Sequence, residues 1–363
     1  MKPTIKLKIL DWWRGESFYD NYFVRILSKK YNVIEEENPD YVLYSVFGYE
    51  HRKYDCIRIF FTGENICPDF NICDYAIGFN DIVFEDRYIR YPLYLLNEKD
   101  MERAVKKHII TDDIMQNKTK FCNYIYSHSN SSKLREEFFD LLSNSYKKVD
   151  SAGIYRNNIG FSLPIINGDF SSSKYEFMKN YKFTIAFENS STNGYTTEKI
   201  IQAFGARTIP IYWGNPKISD FSLRGGGVND KSFINVHSFN SLNEVIDRII
   251  EIDRDDRLFL EILKEPVFVD RLYHLKQYNL LMDFFDNIFC QNISKANRRK
   301  NEHWFRNYNQ AYLQMTSMLV FRIKLSAIKQ KILGIIYHQN KILVFLRRIG
   351  FTRWCKKFFR KRD

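Results

Sequence analysis

Along the first half of the chain, short runs of β-branched and aromatic residues alternate with amphipathic or polar stretches. Ile5 to Leu10, Tyr41 to Val46, Ile57 to Phe61, Tyr75 to Phe79 and Phe121 to Ser127 each predict a strand. Tyr19 to Lys30 predicts a helix, and Leu134 to Leu142 another, with apolar residues at 134, 138, 141 and 142. Met101 to Lys120 is polar and charged, a helix plus connection. Strands interleaved with helices imply an α/β layer with a parallel sheet. The second half continues with a strand at Ser232 to Val236 and helices at Leu242 to Ile252 and Tyr273 to Ile293.

The densest pattern lies between Tyr181 and Pro216. Lys182 to Phe187 predicts a strand and Glu188 to Gly194 a loop rich in Asn and Ser. Thr196 or Thr197 caps a predicted helix whose apolar face is Ile200, Ile201 and Phe204, with Gly205 at its C′ position. Arg207 to Trp213 is the next strand, bent or near an edge because Pro210 cannot donate to a ladder. A strand feeding a helix N-terminus is a place where anions bind, since free N–H groups and the helix dipole point outward. Lys199 adds a full positive charge there. Glu198 suits sugar hydroxyls better than phosphate.

The 363 residues suffice for two domains of ordinary size. No N-terminal apolar run precedes Ile5, so no secretory signal is expected. The six cysteines form no C-x-x-C pair and are expected to be reduced, mostly buried thiols. The formal charge of +12 is unevenly placed: 13 Lys and Arg stand against one acid from Thr316 to Asp363, and the rest of the chain balances. Leu325, Ile328, Ile332 and Ile335 or Ile336 share a helical face in that tail, followed by Ile342, Phe345 or Leu346, and Ile349. This basic amphipathic pattern fits an anionic membrane surface better than nucleic acid, because phosphate binding alone needs no apolar face.

Four further features bear on chemistry. Glu64 follows a Gly directly after a predicted strand, the usual position of cleft-facing groups in open α/β sheets; Glu85 and Asp86 are weaker alternatives in a surface turn. Arg156 follows a small-residue turn, and its planar fork suits phosphate. Asp253-Arg254-Asp255 fits a D-x-D metal pattern, but it ends a charged helical stretch and is expected to be solvated surface. The Gly225 to Gly227 run follows no strand and lacks nucleotide-binding spacing.

FENS…GYTTEKI..AF…TIPIYWG, in this order and spacing, resembles the donor-binding signature of the α1,3-fucosyltransferases, which use GDP-fucose. Thr62-Gly63-Glu64-Asn65, with Pro68, Phe70 and Asp74, resembles the family's T-G-E-N element, and Tyr155-Arg156-Asn157-Asn158 its Arg-Asn pair. Trp12-Trp13 is followed by Arg14 where the family often has Gly, and His128 stands where the family usually has Asn. The resemblance covers most of residues 1–300. It implies two facing Rossmann-like domains of the GT-B type: 1–150 for the acceptor, 151–315 for GDP-fucose, then the tail 316–363.

It also implies an inverting transfer of L-fucose to O3, possibly O4, of N-acetylglucosamine in a lactosamine-type glycan. Glu64 would be the general base, with Arg156, Asn189, Tyr195, Glu198 and Lys199 binding the donor; no metal or other cofactor is called for. A bacterial-type cytosolic enzyme, peripheral on the inner membrane face, is the corresponding location. The rival readings are a glycosyltransferase for another nucleotide sugar and a non-enzymatic membrane-surface binding protein.

Overall fold

The computed structural model describes residues 2–106, 109–110, 113–127, 129, 132–165, 170–220 and 227–299. It also describes residues 310–312, 314–315, 317–318, 321–322, 325–326 and 328–329. Two units are distinguished, Met1–Arg299 and Lys300–Asp363.

The first unit holds two wholly parallel sheets. In the first, β1 (Thr4–Leu10) lies between β2 (Asn32–Glu35) and β3 (Tyr41–Tyr44), and β4 (Ile57–Phe61), β5 (Tyr75–Gly78) and β6 (Tyr88–Arg90) follow outward. The strands β3, β4 and β5 are fully buried and, apart from Arg58 of β4, without charged side chains, as expected where both sides are covered. Helix α1 (Tyr22–Ser28) is capped by Asn21, whose side chain accepts from Phe23 N, and buries Phe23, Ile26 and Leu27.

After β6 come α2 (Glu98–Val105) and α3 (Ile114–Asn117). The second sheet is then built from β7 (Lys120–Tyr124), β8 (Asp150–Ser151), β9 (Tyr181–Phe187), β10 (Ile209–Trp213) and β11 (Ile234–Asn235), in the order β11-β10-β9-β7-β8. Its helices are α4 (Leu134–Ser145), α5 (Phe170–Met178), α6 (Glu198–Gly205), α7 (Leu242–Arg254) and α8 (Asp256–Lys264).

The boundary expected near Asp150 is corrected by this topology. β7 already pairs with β8 and β9, Asn123 opposite both Asp150 and Thr184, so the division between sheets falls between Arg90 and Lys120. Nor do the closing helices belong only to the second half. In α9 (Tyr273–Cys290), Phe289 packs on Tyr31 and Tyr41, and Phe285 on Phe23. Arg299 then ion-pairs with buried Asp74 at 2.9 Å. The chain thus returns to the first sheet, and the first unit ends at Arg299 rather than at 315.

Two local expectations also change. Gly205 is the last residue of α6 rather than a left-handed C′ residue. A Cβ there would stand 3.3 Å from Arg103 Cβ and 3.4 Å from Asp100 O, so its small size serves the packing of α6 on α2. Pro210 lies between two strands, yet β11 is so short that it reaches only Ile211 and Tyr212, which leaves Pro210 without a ladder partner on that side.

In the second unit the described residues between 310 and 329 are helical, and Met315, Met318, Phe321, Leu325 and Ile328 are exposed. The rest of the tail, with Ile332, Ile342, Ile349 and Cys355, lies outside the described residues, as do His128 and the glycines at 225 and 226. Among the described residues no helix is long and apolar enough to cross a membrane.

Candidate active site

The carboxyl ends of both sheets carry the candidate residues, as the topology of open α/β sheets leads one to expect. At the end of β4, Thr62 Oγ1 accepts from Glu64 N at 2.9 Å, and Ile66 N donates to Glu64 O at 2.7 Å, a tight turn that leaves the Glu64 side chain half-buried. Leu93 packs directly on Gly63, where a Cβ would meet its methyl groups at 2.8 Å. At the end of β1, Trp12 stacks on Phe61 and edges Trp13, so this pair forms a wall of the same mouth. Asp11, at φ +54, holds the turn by accepting from His51 Nδ1 at 2.6 Å and from the backbone of Glu50 and His51.

At the end of β9 stands Glu188, fully buried, which the sequence marked only as the start of a polar loop. Its carboxylate accepts from Thr197 N (2.7 Å), Thr197 Oγ1 (2.6 Å) and Lys199 Nζ (3.2 Å). Thr197 occupies the N-cap position of α6, but its hydroxyl donates to Glu188 instead of capping. The N-terminus of α6 therefore already carries an internal carboxylate, and an incoming anion has the later amides and Lys199 to use. Lys199 also stands 3.5 Å from Glu198 Oε1.

Burial pushes the Glu188 carboxyl up, and Lys199 only partly offsets this. For Glu198, burial pushes the same way, but Lys199 and Lys174 outweigh it and hold the carboxyl at about 2. Burial lowers Lys199, yet Glu188 and Glu198 more than compensate and raise it. The trio is thus a charged cluster with one ammonium serving two carboxylates.

Tyr195, Glu198 and Lys199 gather around Glu188, while Asn189, the next residue in sequence, is exposed and held by Arg135 and Ser132. Tyr195 is buried, with its ring against Phe79 of the first half, and its hydroxyl feels the charges of Glu188, Lys199, Glu64 and Glu198. The loop between β9 and α6 is pinned along its length. Asn189 O accepts from Ser132 N, Gly194 N donates to Asn215 Oδ1 at 2.8 Å, and Asn65 Nδ2 donates to Ser190 Oγ and Thr192 Oγ1 at 2.6 and 2.7 Å.

Arg156 stands apart from that group. At φ +57 it pairs with Asp140 of α4 and lies over the Phe139 ring. The arginine that reaches the β9–α6 loop is Arg135, which the sequence placed on an ordinary amphipathic helix. It is buried, lies 3.9 Å from the Tyr126 ring centre and donates to Asn189 Oδ1 at 2.7 Å and Phe187 O at 3.1 Å. Its charged neighbours Lys133, Glu136 and Glu137 mask the one signal available, that Arg135 shares the i, i+3, i+4, i+7 face of Phe138, Phe139 and Leu142.

The remaining candidates have structural partners. Asp86 bonds Arg298 and Asn287, and Glu85 sits at φ +47. Asp253 accepts from Tyr146 and Lys147 and faces Lys182 at 3.5 Å, while Asp255 caps α8. Among the described residues no cluster of His, Cys, Asp or Glu has the grouping that holds a metal ion. Of the described cysteines, Cys73 and Cys122 are buried, Cys56 is half-buried, and Cys67 and Cys290 are exposed, so the thiols are free but less buried than expected.

A cavity of about 680 Å³ runs from Glu198 to Trp13, Asp20, Arg25, Leu93 and Asn97. It joins the first turn of α6, at Glu198, to Leu93, the side chain that packs on Gly63. A second cavity of about 500 Å³, between α1, α2 and α9, is lined mainly by Tyr22, Tyr91, Leu95, Met101 and Tyr278 and contains none of these groups.

Comparison with known proteins accords with this layout. The family model described as the alpha-(1,3)-fucosyltransferase FucT N-terminal domain matches residues 7–97, and that of the glycosyltransferase family 10 (fucosyltransferase) C-terminal part matches residues 115–311. The alpha-(1,3)-fucosyltransferase FucT of Helicobacter pylori is 33% identical over 308 residues, 72% of this chain and 60% of that protein. GDP-fucose protein O-fucosyltransferase 3 of Homo sapiens is 32% identical over 117 residues, 32% of this chain and 23% of that protein. The crystal structure of an alpha1,3-fucosyltransferase with GDP-fucose matches with a TM-score of 0.64 at 29% identity, covering 80% of this chain and 92% of that one. The chain spans three fifths of the Helicobacter relative's length and under a quarter of the human one's. The two parallel-sheet halves form the GT-B arrangement, and the chain belongs to glycosyltransferase family 10, the fucosyltransferase family.

Proposed function

We propose that the protein transfers L-fucose from GDP-fucose to O3 of N-acetylglucosamine in a galactose-containing glycan, with inversion at the anomeric carbon. The observation that carries this is the link between the Glu64 turn of the first sheet and the loop leading to Lys199 and Glu198 of the second, made by Asn65 donating to Ser190 Oγ and Thr192 Oγ1 at 2.6 and 2.7 Å. A base and an electrophile-holding cation on opposite sides of one mouth are what an in-line displacement needs. The matched crystal structure with GDP-fucose supports the choice of donor.

In this reading Glu64 takes the acceptor hydroxyl proton as the oxygen bonds to C1 of fucose. The C1–O bond to the β-phosphate breaks, and its electron pair leaves with GDP. Lys199 and the free amides of the first turn of α6 stabilise the departing diphosphate, with no metal in the scheme. Glu198 and Asn189 hold sugar hydroxyls, and Tyr195 walls the donor. Arg156, held by Asp140 away from Lys199, is left without a part in this scheme. The acceptor occupies the 680 Å³ cavity, where the Trp13 ring offers a face for sugar C–H groups and Asp20 and Asn97 offer polar partners for hydroxyls. The tail, with its exposed Met318, Phe321, Leu325 and Ile328, holds the enzyme on an anionic membrane surface.

Product formation with GDP-fucose and N-acetyllactosamine tests the reading, run beside a panel of GDP and UDP sugars. Turnover restricted to GDP-fucose supports it; turnover with a different sugar nucleotide alone favours the rival glycosyltransferase.

A further inference from the structure

The two loops that carry the proposed chemistry spring from different sheets, and nothing in either strand order fixes their separation. The Glu64 loop follows β4, and the donor loop joins β9 to α6. Glu64 itself is held from its own side, by Thr62 Oγ1 and by Leu93 packed against Gly63. The donor loop is held from its own side by Ser132 and Arg135 at Asn189 and by Asn215 at Gly194. Asn65, next to Glu64, bridges the two loops with two hydrogen bonds, to Ser190 and Thr192, whereas Phe79 and Arg90 of the first half touch the β9–α6 loop farther along, at Tyr195 and Gly194. The two Asn65 bonds are short, half-buried and span more than 120 residues of sequence.

We propose that Asn65 is a positioning residue that sets the distance between the Glu64 carboxylate and the donor, acting through Ser190 and Thr192. The inference rests on the fucosyl-transfer reading above. A base works only within hydrogen-bond reach of the proton it removes, and a displacement near 1 Å costs on the order of 100-fold in rate. Freed of Asn65, the Glu64 loop keeps its own turn but loses its register against the donor loop. Transfer to a sugar hydroxyl, whose position is fixed by the acceptor site, then suffers more than hydrolysis of GDP-fucose, because water can follow the base.

The test compares transfer and hydrolysis in the full-length protein and in Asn65→Ala, Asn65→Asp, and the double variant Ser190→Ala/Thr192→Val. Asn65→Ala is expected to lower the transfer-to-hydrolysis ratio about 10- to 100-fold, with GDP affinity within about threefold of wild type. The double variant, which removes the same bonds from the other side, should reproduce that ratio. Asn65→Asp can accept from both hydroxyls, so it should recover the ratio. It should also move the acidic limb of the kcat–pH profile upward, because a like charge beside Glu64 favours the protonated base. An unchanged ratio in Asn65→Ala and in the double variant overturns the inference. So does a parallel fall of transfer, hydrolysis and thermal stability, the mark of a merely structural contact. Absence of transfer by wild type with any acceptor would instead strike the fucosyl-transfer reading itself.

Discussion

Lys199 Nζ lies 3.2 Å from Glu188 Oε2, and Glu188 is fully buried. The pair joins the end of β9 to the first turn of α6, and Glu198 shares the same ammonium. Removing one member of a buried pair is costly because the partner's charge is left without compensation. Glu188→Ala also strands the Thr197 N–H. Each of Glu188→Ala and Lys199→Ala should therefore destabilise the protein by about 3 kcal/mol. The Glu188→Gln/Lys199→Ala double variant should lose less than the sum of its single changes, a coupling of about 1–3 kcal/mol in chemical denaturation. Additive losses would show that the two side chains are not energetically linked.

Lys199→Ala should also weaken GDP binding, measured by calorimetry, by at least about tenfold, since its charge lies where the diphosphate is proposed to sit. Unaltered GDP affinity in a folded variant would remove Lys199 from the donor site.

Glu64→Ala should reduce kcat for transfer by about 10²- to 10⁴-fold, the usual contribution of a general base, with GDP affinity retained. Glu85→Ala should change kcat little, and Asp86→Ala should act through its lost bond to Arg298, seen as a lower melting temperature. A full-rate Glu64→Ala variant would return attention to that pair.

Lys118 gives a pH prediction independent of the chemistry. Its ammonium position is buried, donating to Lys179 O and Ala206 O at 2.7 and 3.0 Å. Burial, helped by the Arg207 charge, lowers it from the ordinary 10.5 to about 7. Between those values the unfolded chain binds a proton that the folded chain has released. Stability contributed by this group therefore rises with pH from about 7 towards 10.5 and is absent below 7. Denaturant midpoints measured across that window should show a rise in wild type that is smaller in Lys118→Met; equal slopes would contradict the assignment.

Gly194 sits at φ +87, and a Cβ there would stand 2.2 Å from Phe79 O in the first half. Gly194→Ala should cost about 1–3 kcal/mol in strain and disturb the Phe79–Tyr195 contact. The expected outcome is a lower melting temperature together with weaker GDP binding. A variant with wild-type values in both would mean that the junction is compliant.

Much of this architecture was legible because local pattern and tertiary role agree. β4 runs from Ile57 to Phe61 as its β-branched and aromatic composition predicts, and Ile200, Ile201 and Phe204 are buried on the expected face of α6. The legible signals end where partners are distant in sequence. Glu188 looks like a loop carboxylate until the chain closes Thr197 and Lys199 onto it. Arg135 and Asp140 share one helix, yet the first faces the donor loop and the second holds Arg156. The helical period does separate these two, since Arg135 lies on the face buried with Phe138, Phe139 and Leu142 and Asp140 does not, but what each face meets is decided by partners distant in sequence. The domain boundary was misplaced for a related reason. Phe121 to Ser127 predicts a strand, but a strand's sheet is decided by its pairing, and here that is with β9.

The central claim is most directly tested by the product of wild-type protein, GDP-fucose and N-acetyllactosamine, its linkage read by NMR. The account predicts a trisaccharide with α-fucose on O3 of N-acetylglucosamine and one GDP released per fucose transferred. Failure to fucosylate this glycan or its β1,3-linked isomer, with turnover of another sugar nucleotide under the same conditions, would contradict it.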